Sequence, residues 1–366
     1  MKNKKVLLVS PFPFFKREFG AAVRVYGLFR MLSKKFNVFS VELGEINSEK
    51  HKHCLIQFNR KFFILEGLKV AKKIREICIK NRINIVIFST TAVYSSYLLL
   101  LSRILLPKLS IVVDAHNTEY IIQRFKRGEI ASFLTLFLEK IAFNLANKIF
   151  CVSEKDKKII SKLTKNKVIV IPNGIDITLF NARKAYFLKK FKPLLVFHGL
   201  ISYKPNSEAL NFILSILPNL RSTFPHLNLI VFGPGSEGVI KEGVISLGRL
   251  PYRKIPSILK QCDIAIVPIF HGSGTRLKVL EYMAAKVPIV ATPKAVEGLD
   301  LVPYKHYIPA STKEEFLYFI NRILKRQIKI KKMIKNSFSL VKKYDWKFIS
   351  KNLIKEIEEI IQSSGR

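Results

Sequence analysis

Short apolar runs alternate with longer amphipathic stretches along nearly the whole chain, and no other feature narrows the choice of fold as much. In the first half, runs of strand length stand at Val6–Val9, Val38–Leu43, Ile85–Ser89, Ile111–Asp114, Ile149–Val152 and Val168–Ile171. Stretches with helical spacing lie between most of them, at Ala22–Lys34, Leu65–Asn81, Ala92–Leu105, Ile130–Ala146 and Glu154–Leu163. The second half repeats the scheme. Its strands are expected at Leu194–His198, Asn228–Phe232, Val244–Leu247, Ile264–Val267 and Ile289–Thr292, and its helices at Asn206–Arg221, Ile255–Lys260 and Lys278–Ala285. From Lys313 to Ser363 the pattern is helical only. Parallel neighbours need a crossover, so this alternation predicts parallel sheets with helices on both faces.

The length of 366 residues suits two domains, at roughly 100–200 residues each. The polar segment Asn181–Lys192, ahead of Pro193, marks the break. The expected organisation is an α/β domain over 1–185, a second over 186–343, and a terminal helix over 344–366. Each domain is predicted to be Rossmann-like and doubly wound, presenting the loops at its strands' carboxyl ends to a cleft. No short repeat period points to a solenoid.

Hydrophobic residues make up 49% of the chain and charged residues 24%. Such a chain folds and is not a disordered tail. The charge balance is less ordinary: 63 Lys and Arg face 26 Asp and Glu, a formal +37. A surface of that kind attracts polyanions. Compositional bias in a Lys-, Ile- and Asn-rich chain is the competing explanation, and both stay open at this stage. Cys54, Cys78, Cys151 and Cys262 are far apart and form no CxxC pair, so neither a disulfide framework nor a zinc site is expected. The apolar start after MKNKK is broken by Pro11 and Pro13, which favours a first strand over a signal peptide. Ile83–Ser102 carries no charge, yet it divides into a β-branched run, a polar Ser-Thr-Thr turn and a helical stretch, which favours strand–turn–helix over a membrane span. A cytoplasmic location is expected, with peripheral contact at the inner face of the plasma membrane left open.

The segment richest in chemistry runs from His271 through Gly272, Ser273, Gly274, Thr275, Arg276, Leu277 and Lys278 to Glu281. It leaves one expected strand and enters a helix. Gly272 and Gly274 let backbone approach a ligand closely, and a helix N-terminus offers N–H groups to an anion. Arg276 and Lys278 place two cations in the first turn, where they oppose the helix dipole unless an anion is bound. Glu281 follows one turn on, placed to accept from sugar hydroxyls.

This segment resembles the nucleotide-sugar signature of the family 4 glycosyltransferases, which have the GT-B fold. Other pieces resemble the family in the same order. They are Val6–Phe29, Asp114–Glu119, Ile149–Glu154, Val168–Phe180, Phe197–Phe212 and Tyr344–Trp346. The resemblance implies two Rossmann-like domains facing a cleft, with a C-terminal helix crossing back to the first. It implies a nucleotide-sugar-dependent hexosyltransferase, retaining, that uses a UDP- or GDP-sugar and needs no metal or other cofactor. The acceptor implied is a hydroxyl of a glycan or a lipid-linked molecule, in surface polysaccharide or glycoconjugate synthesis. Arg276 and Lys278 would meet the leaving diphosphate, with Lys204 as a further cation and Ser273 to Thr275 adding amides. His116 would lie at the sugar. Gly20 and Gly199 would bring loops to the donor, Glu281 would bind the ribose, and Glu297 would face the same ligand. The absence of an Asp-x-Asp motif agrees with a metal-free reaction.

Three positions depart from the family pattern. Ser273 stands where many members carry the first of two glutamates, and Leu200 and Asn206 stand where many carry an arginine and a lysine. The diphosphate would then rely mainly on Arg276 and Lys278, as in a subgroup reading Gly-Thr-Arg-x-Lys. The helix Lys69–Arg82 is basic, with apolar residues at Val70, Ile74, Ile77 and Cys78; it reads either as an ordinary core-facing helix or as a patch for acidic lipid. Two other functions compete: a nucleotide-sugar epimerase or hydrolase on the same scaffold, and a nucleic-acid binder argued from charge. The second lacks zinc ligands, RNP-type aromatics and a recognition-helix module, so no nucleic-acid partner is expected.

Overall fold

The computed structural model describes residues 4–44, 48–50, 52–59, 63–89, 93–181 and 188–363. They form two compact units. The first holds the chain up to Phe15, Ala21–Asn173 and the chain from Lys347 on; the second holds Lys16–Gly20 and Gly174–Trp346. The break expected at 185/186 lies outside the described residues, and the units divide earlier, at Asn173/Gly174.

The first unit runs β1 (Lys5–Ser10), α1 (Gly20–Leu32), β2 (Asn37–Gly44), β3 (Ser48–Lys50), β4 (His53–Gln57), α2 (Phe63–Asn81), β5 (Ile85–Ser89) and α3 (Val93–Leu105). It continues with β6 (Ser110–Ala115), α4 (Glu119–Arg127), α5 (Glu129–Leu145), β7 (Lys148–Cys151), α6 (Glu154–Ile160) and β8 (Lys167–Val170). The sheet order is β3-β4-β2-β1-β5-β6-β7-β8, parallel except for β3 against β4. Every residue of β5 and β6 is buried, as expected for parallel strands covered on both faces. The stretch Ile83–Ser102 therefore supplies β5 and the start of α3. No helix among the described residues is long and apolar enough to cross a membrane.

The second unit runs β9 (Leu194–His198), α7 (Lys204–Thr223), β10 (Asn228–Phe232), β11 (Val244–Ser246), α8 (Ile255–Leu259), β12 (Ile264–Val267) and α9 (Leu277–Ala285). Then follow β13 (Ile289–Ala291), β14 (Ile308–Pro309), α10 (Lys313–Leu324) and α11 (Lys331–Val341). Its sheet is wholly parallel, in the order β11-β10-β9-β12-β13-β14. The order reverses at β9, so the loops after β9 and β12 flank a topological switch point. The last helix, α12 (Trp346–Ser363), belongs from Lys347 on to the first unit. There its Ile349, Leu353, Ile357 and Ile360 are buried, and Lys148 bonds Glu356 at 2.6 Å and Glu359 at 2.8 Å.

The apolar residues of the basic helix α2 resolve to the ordinary alternative. Val70, Ile74, Ile77 and Cys78 are all buried in the first unit's core, so that face is not available to lipid.

Candidate active site

In the second unit the loops after β9 and β12 converge on one ammonium group. Lys278 stands in the first turn of α9, and its side chain is buried. Its Nζ donates to Asn206 Oδ1 at 2.9 Å and lies 4.0 Å from the centre of the Phe197 ring. A Cβ at Gly199 would fall 3.0 Å from that Nζ and 3.1 Å from Asn206 Nδ2, so the glycine, with φ +140°, leaves room for the pair. Asn206 is itself fixed, because its Nδ2 donates to the Leu200 carbonyl at 2.8 Å. Among the described residues no carboxylate forms an ion pair with Lys278. Burial lowers its pKa to about 7, Glu281 nearby opposing and Arg276 adding to the fall. Taking an ammonium out of water costs several kcal/mol, and a desolvated ring contact returns about 2 kcal/mol of it. The site is therefore short of one negative charge.

Arg276 behaves differently. Its guanidinium folds back on its own loop, with Nη1 on the carbonyls of Ser273 (3.1 Å) and Gly274, and Nη2 on that of His271 (3.3 Å). The loop can curl this tightly because Gly272 and Gly274 take φ of +114° and +73°. Arg276 thus shapes the half-buried Ser273–Thr275 segment from within.

Glu281 is buried one turn after Lys278 and is held from two sides. His198, at the end of β9, contacts its Oε2 at 2.7 Å, and the Tyr252 hydroxyl also bonds it. Burial pushes the His198 pKa down more than Glu281 lifts it, so the imidazole is neutral near pH 7. Its Nε2–H then donates to Glu281 while Nδ1 accepts from the Tyr282 hydroxyl at 2.8 Å. The ring stacks on Phe232 at 4.6 Å.

A second polar cluster lies in the first unit at the end of β6. Asp114 is fully buried. Burial alone would raise its pKa, but the guanidinium of Arg24 and the ring of His116 hold it well below the usual carboxylate range. Arg24 bonds both carboxylate oxygens, with Nη2 at 2.5 Å from Oδ1, and reaches Asn173 Oδ1 at 3.2 Å. His116 places Nε2 at 2.9 Å from Asp114 and 2.8 Å from Ser89 Oγ. Its buried Nδ1 has no partner among the described residues.

The second unit brings together Gly199, Gly272, Ser273, Gly274, Thr275, Arg276, Lys278 and Glu281 of the expected site residues. Lys204 is exposed on the first turn of α7, 4.0 Å from Glu208. Glu297 pairs with Lys294 at 2.6 Å. Gly20 opens α1, and a Cβ there would meet the Leu277 side chain at an ordinary 3.5 Å. Sequence reasoning did not single out His198, Tyr252 or Tyr282 for the site, nor Arg24 for the cluster at His116. Only a histidine ending a strand just before a glycine hinted at the first. Among the described residues no group of three or more His, Cys, Asp or Glu is placed to hold a metal.

Comparison with known proteins follows the same division. Residues 20–179 match the family described as Glycosyltransferase Family 4, and residues 192–326 match that described as Glycosyl transferases group 1. A phosphatidyl-myo-inositol mannosyltransferase of Mycobacterium leprae is 20% identical over 215 residues, 54% of this chain and 55% of that protein. The matches span about half the length of such curated relatives. Sucrose-phosphate synthase from Thermosynechococcus elongatus superposes with a TM-score of 0.79 at 13% identity, over 98% of this chain and all of that one. Anabaena HepE in complex with UDP-glucose superposes with a TM-score of 0.74 at 14% identity, over 97% of this chain and 99% of that one. The architecture is that of the GT-B glycosyltransferases.

Proposed function

Both halves of the chain match glycosyltransferase families, and from that premise we propose that the protein transfers a sugar from a nucleoside-diphosphate donor to a hydroxyl of a glycan or lipid-linked acceptor, with retention of anomeric configuration. The reaction would serve surface polysaccharide or glycoconjugate synthesis. The observation that carries this reading is the buried Lys278 ammonium, held by Asn206 against Gly199 at the switch point with no carboxylate among the described residues paired to it. A diphosphate supplies the missing charge. As the bond from the anomeric carbon to the diphosphate breaks, negative charge grows on phosphate oxygens, and a cation already in place meets it without reorganising.

The glycines of the Gly272–Gly274 loop let backbone amides add to that stabilisation, and Arg276 keeps the loop in shape. Glu281, oriented by His198 and Tyr252, is assigned to the ribose hydroxyls. His116, oriented by Asp114, has Nδ1 left over for a sugar hydroxyl. The fixed Lys278 ammonium, with the loop amides, takes the part that a metal plays in other transferases, so no metal is needed. The UDP-glucose complex of HepE supports a UDP-sugar donor, and the curated mannosyltransferase, named for phosphatidyl-myo-inositol, supports an acceptor linked to lipid.

The test is incubation with labelled UDP- and GDP-sugars in EDTA, with and without glycan and lipid acceptors. Label should move to an acceptor from one donor. Lys278→Met should slow that transfer by about a hundredfold or more, the scale of a lost charge donor in a dry site. Sugar altered or released at the same rate without acceptor would instead identify an epimerase or hydrolase. Thermal stabilisation by RNA alone, with none by UDP or GDP, would refute any nucleotide-sugar role.

A further inference from the structure

The N-terminal half of helix α5 wears its amphipathic pattern inside out, whereas farther on Ala142 and Phe143 are buried in the core. On its inner side Ser132, Thr135 and Glu139 are 6%, 2% and 0% exposed. On its outer side Ile130, Phe133, Leu134 and Phe137 are 81%, 70%, 57% and 58% exposed. Those four stand at i, i+3, i+4 and i+7, which makes one continuous apolar stripe. The polar side is pinned. The Glu139 carboxylate accepts from the backbone N–H groups of Glu119 (2.9 Å) and Tyr120 (3.0 Å), at the N-terminus of α4. An anion is favoured there. Ser132 Oγ donates to the Tyr120 carbonyl at 3.0 Å. These bonds fix the rotation of α5, so the fold itself holds the apolar stripe in water.

Helix α4 extends the same surface. It adds Phe125, 55% exposed, and the exposed cations Arg124, Lys126 and Arg127; Lys140 is exposed farther along α5. The exposed acid at the corner, Glu129, pairs with Arg124 at 2.6 Å. Apolar side chains ringed by cations fit one occupant well: the interface of a bilayer with anionic headgroups. A second copy of the chain fits worse, because a two-fold contact would set these cations against themselves.

We propose that the α4–α5 hairpin docks the protein on anionic membrane, with Phe125, Ile130, Phe133, Leu134 and Phe137 entering the acyl boundary and Arg124, Lys126, Arg127 and Lys140 meeting the headgroups. This surface is distinct from α2, whose Val70, Ile74, Ile77 and Cys78 are buried, and the docking does not depend on the reaction proposed above.

The test is co-sedimentation of the full-length protein with phosphatidylcholine vesicles, with and without phosphatidylglycerol. Binding should need phosphatidylglycerol and weaken as salt is raised. Phe133→Ser/Phe137→Ser should weaken it roughly tenfold or more, since two large apolar groups no longer leave water. Lys126→Ser/Arg127→Ser should weaken it on anionic vesicles. All of these side chains are exposed, and an unchanged circular dichroism spectrum would show that each variant folds. Wild-type pelleting by the Phe133→Ser/Phe137→Ser protein would overturn the proposal. So would failure of the wild type to bind either vesicle, or a dimer in sedimentation velocity that the same variant disperses.

Discussion

Lys278 is a residue whose charge the fold has already made expensive, and that gives its role a signature in pH. In the free protein its pKa is lowered to about 7, chiefly by burial. A bound diphosphate restores the charged form and raises the pKa again. Binding must then take up a proton wherever the free ammonium has been lost and the bound one has not, from about pH 7 upward. Nucleotide affinity should accordingly fall as pH rises above about 7, by roughly tenfold per pH unit while a single proton is coupled. Calorimetry of UDP or GDP binding in buffers of different ionisation enthalpy reads that uptake directly. Zero uptake at about pH 8 would remove Lys278 from the diphosphate site. Asn206 positions the ammonium, and its variants separate that role from bulk. Asn206→Leu removes the acceptor and should shift the midpoint of uptake to lower pH. Asn206→Asp puts a carboxylate beside Nζ, raises its pKa, and should abolish uptake near neutrality. Equal midpoints in all three proteins would leave Asn206 with a packing role only.

Among the elements, the loops after β9 and β10 meet backbone to backbone, and this fixes where the site's glycines are irreplaceable. Gly233 has φ +120°, and a Cβ there would fall 2.1 Å from the Gly199 carbonyl oxygen. No side chain can move aside to relieve that contact. Gly233→Ala should cost at least about 2 kcal/mol in thermal or urea unfolding and should erase stabilisation by nucleotide, because Gly199 is displaced with it. A normal melt would show that the loop has slack the close contact denies. Gly233 lay outside the sequence motifs, because backbone contact between loops leaves no residue spacing to read. The interior strands were legible, since runs such as Ile85–Ser89 and Leu194–His198 are buried end to end. The edge strands at Val168–Ile171 and Val244–Leu247 were legible too, but other edge and surface elements were not. His53–Gln57 mixes polar and apolar residues, Ile308–Pro309 is too short to register, and α4 buries a single residue, Ile122. The site divides likewise. Lys278 and the loop from Gly272 to Arg276 share one stretch of sequence, whereas His198 meets Glu281 only once β9 and α9 are assembled.

Across the whole chain, the second unit is inserted into the first. The first unit's chain leaves at Asn173 and returns at Lys347, so its last helix is made only after the entire second unit. That helix is not an ornament. Ile349, Leu353, Ile357, Ile360 and Ile361 are all buried, and Glu356 joins Lys148 at 2.6 Å and Lys167 at 3.4 Å. Fully burying one such aliphatic side chain is worth about 1.5–3 kcal/mol. Five of them together rival the whole margin of a domain, about 5–15 kcal/mol. A chain ending at Asp345 should therefore lose the first unit's fold while keeping every residue of the loop from Gly272 to Lys278. Limited proteolysis should cut the truncated protein throughout the segment 21–173, and supplying α12 as a separate peptide should restore protection. Truncated protein that resists cleavage over 21–173 as the full chain does would show that the sheet closes its own core without the returning helix.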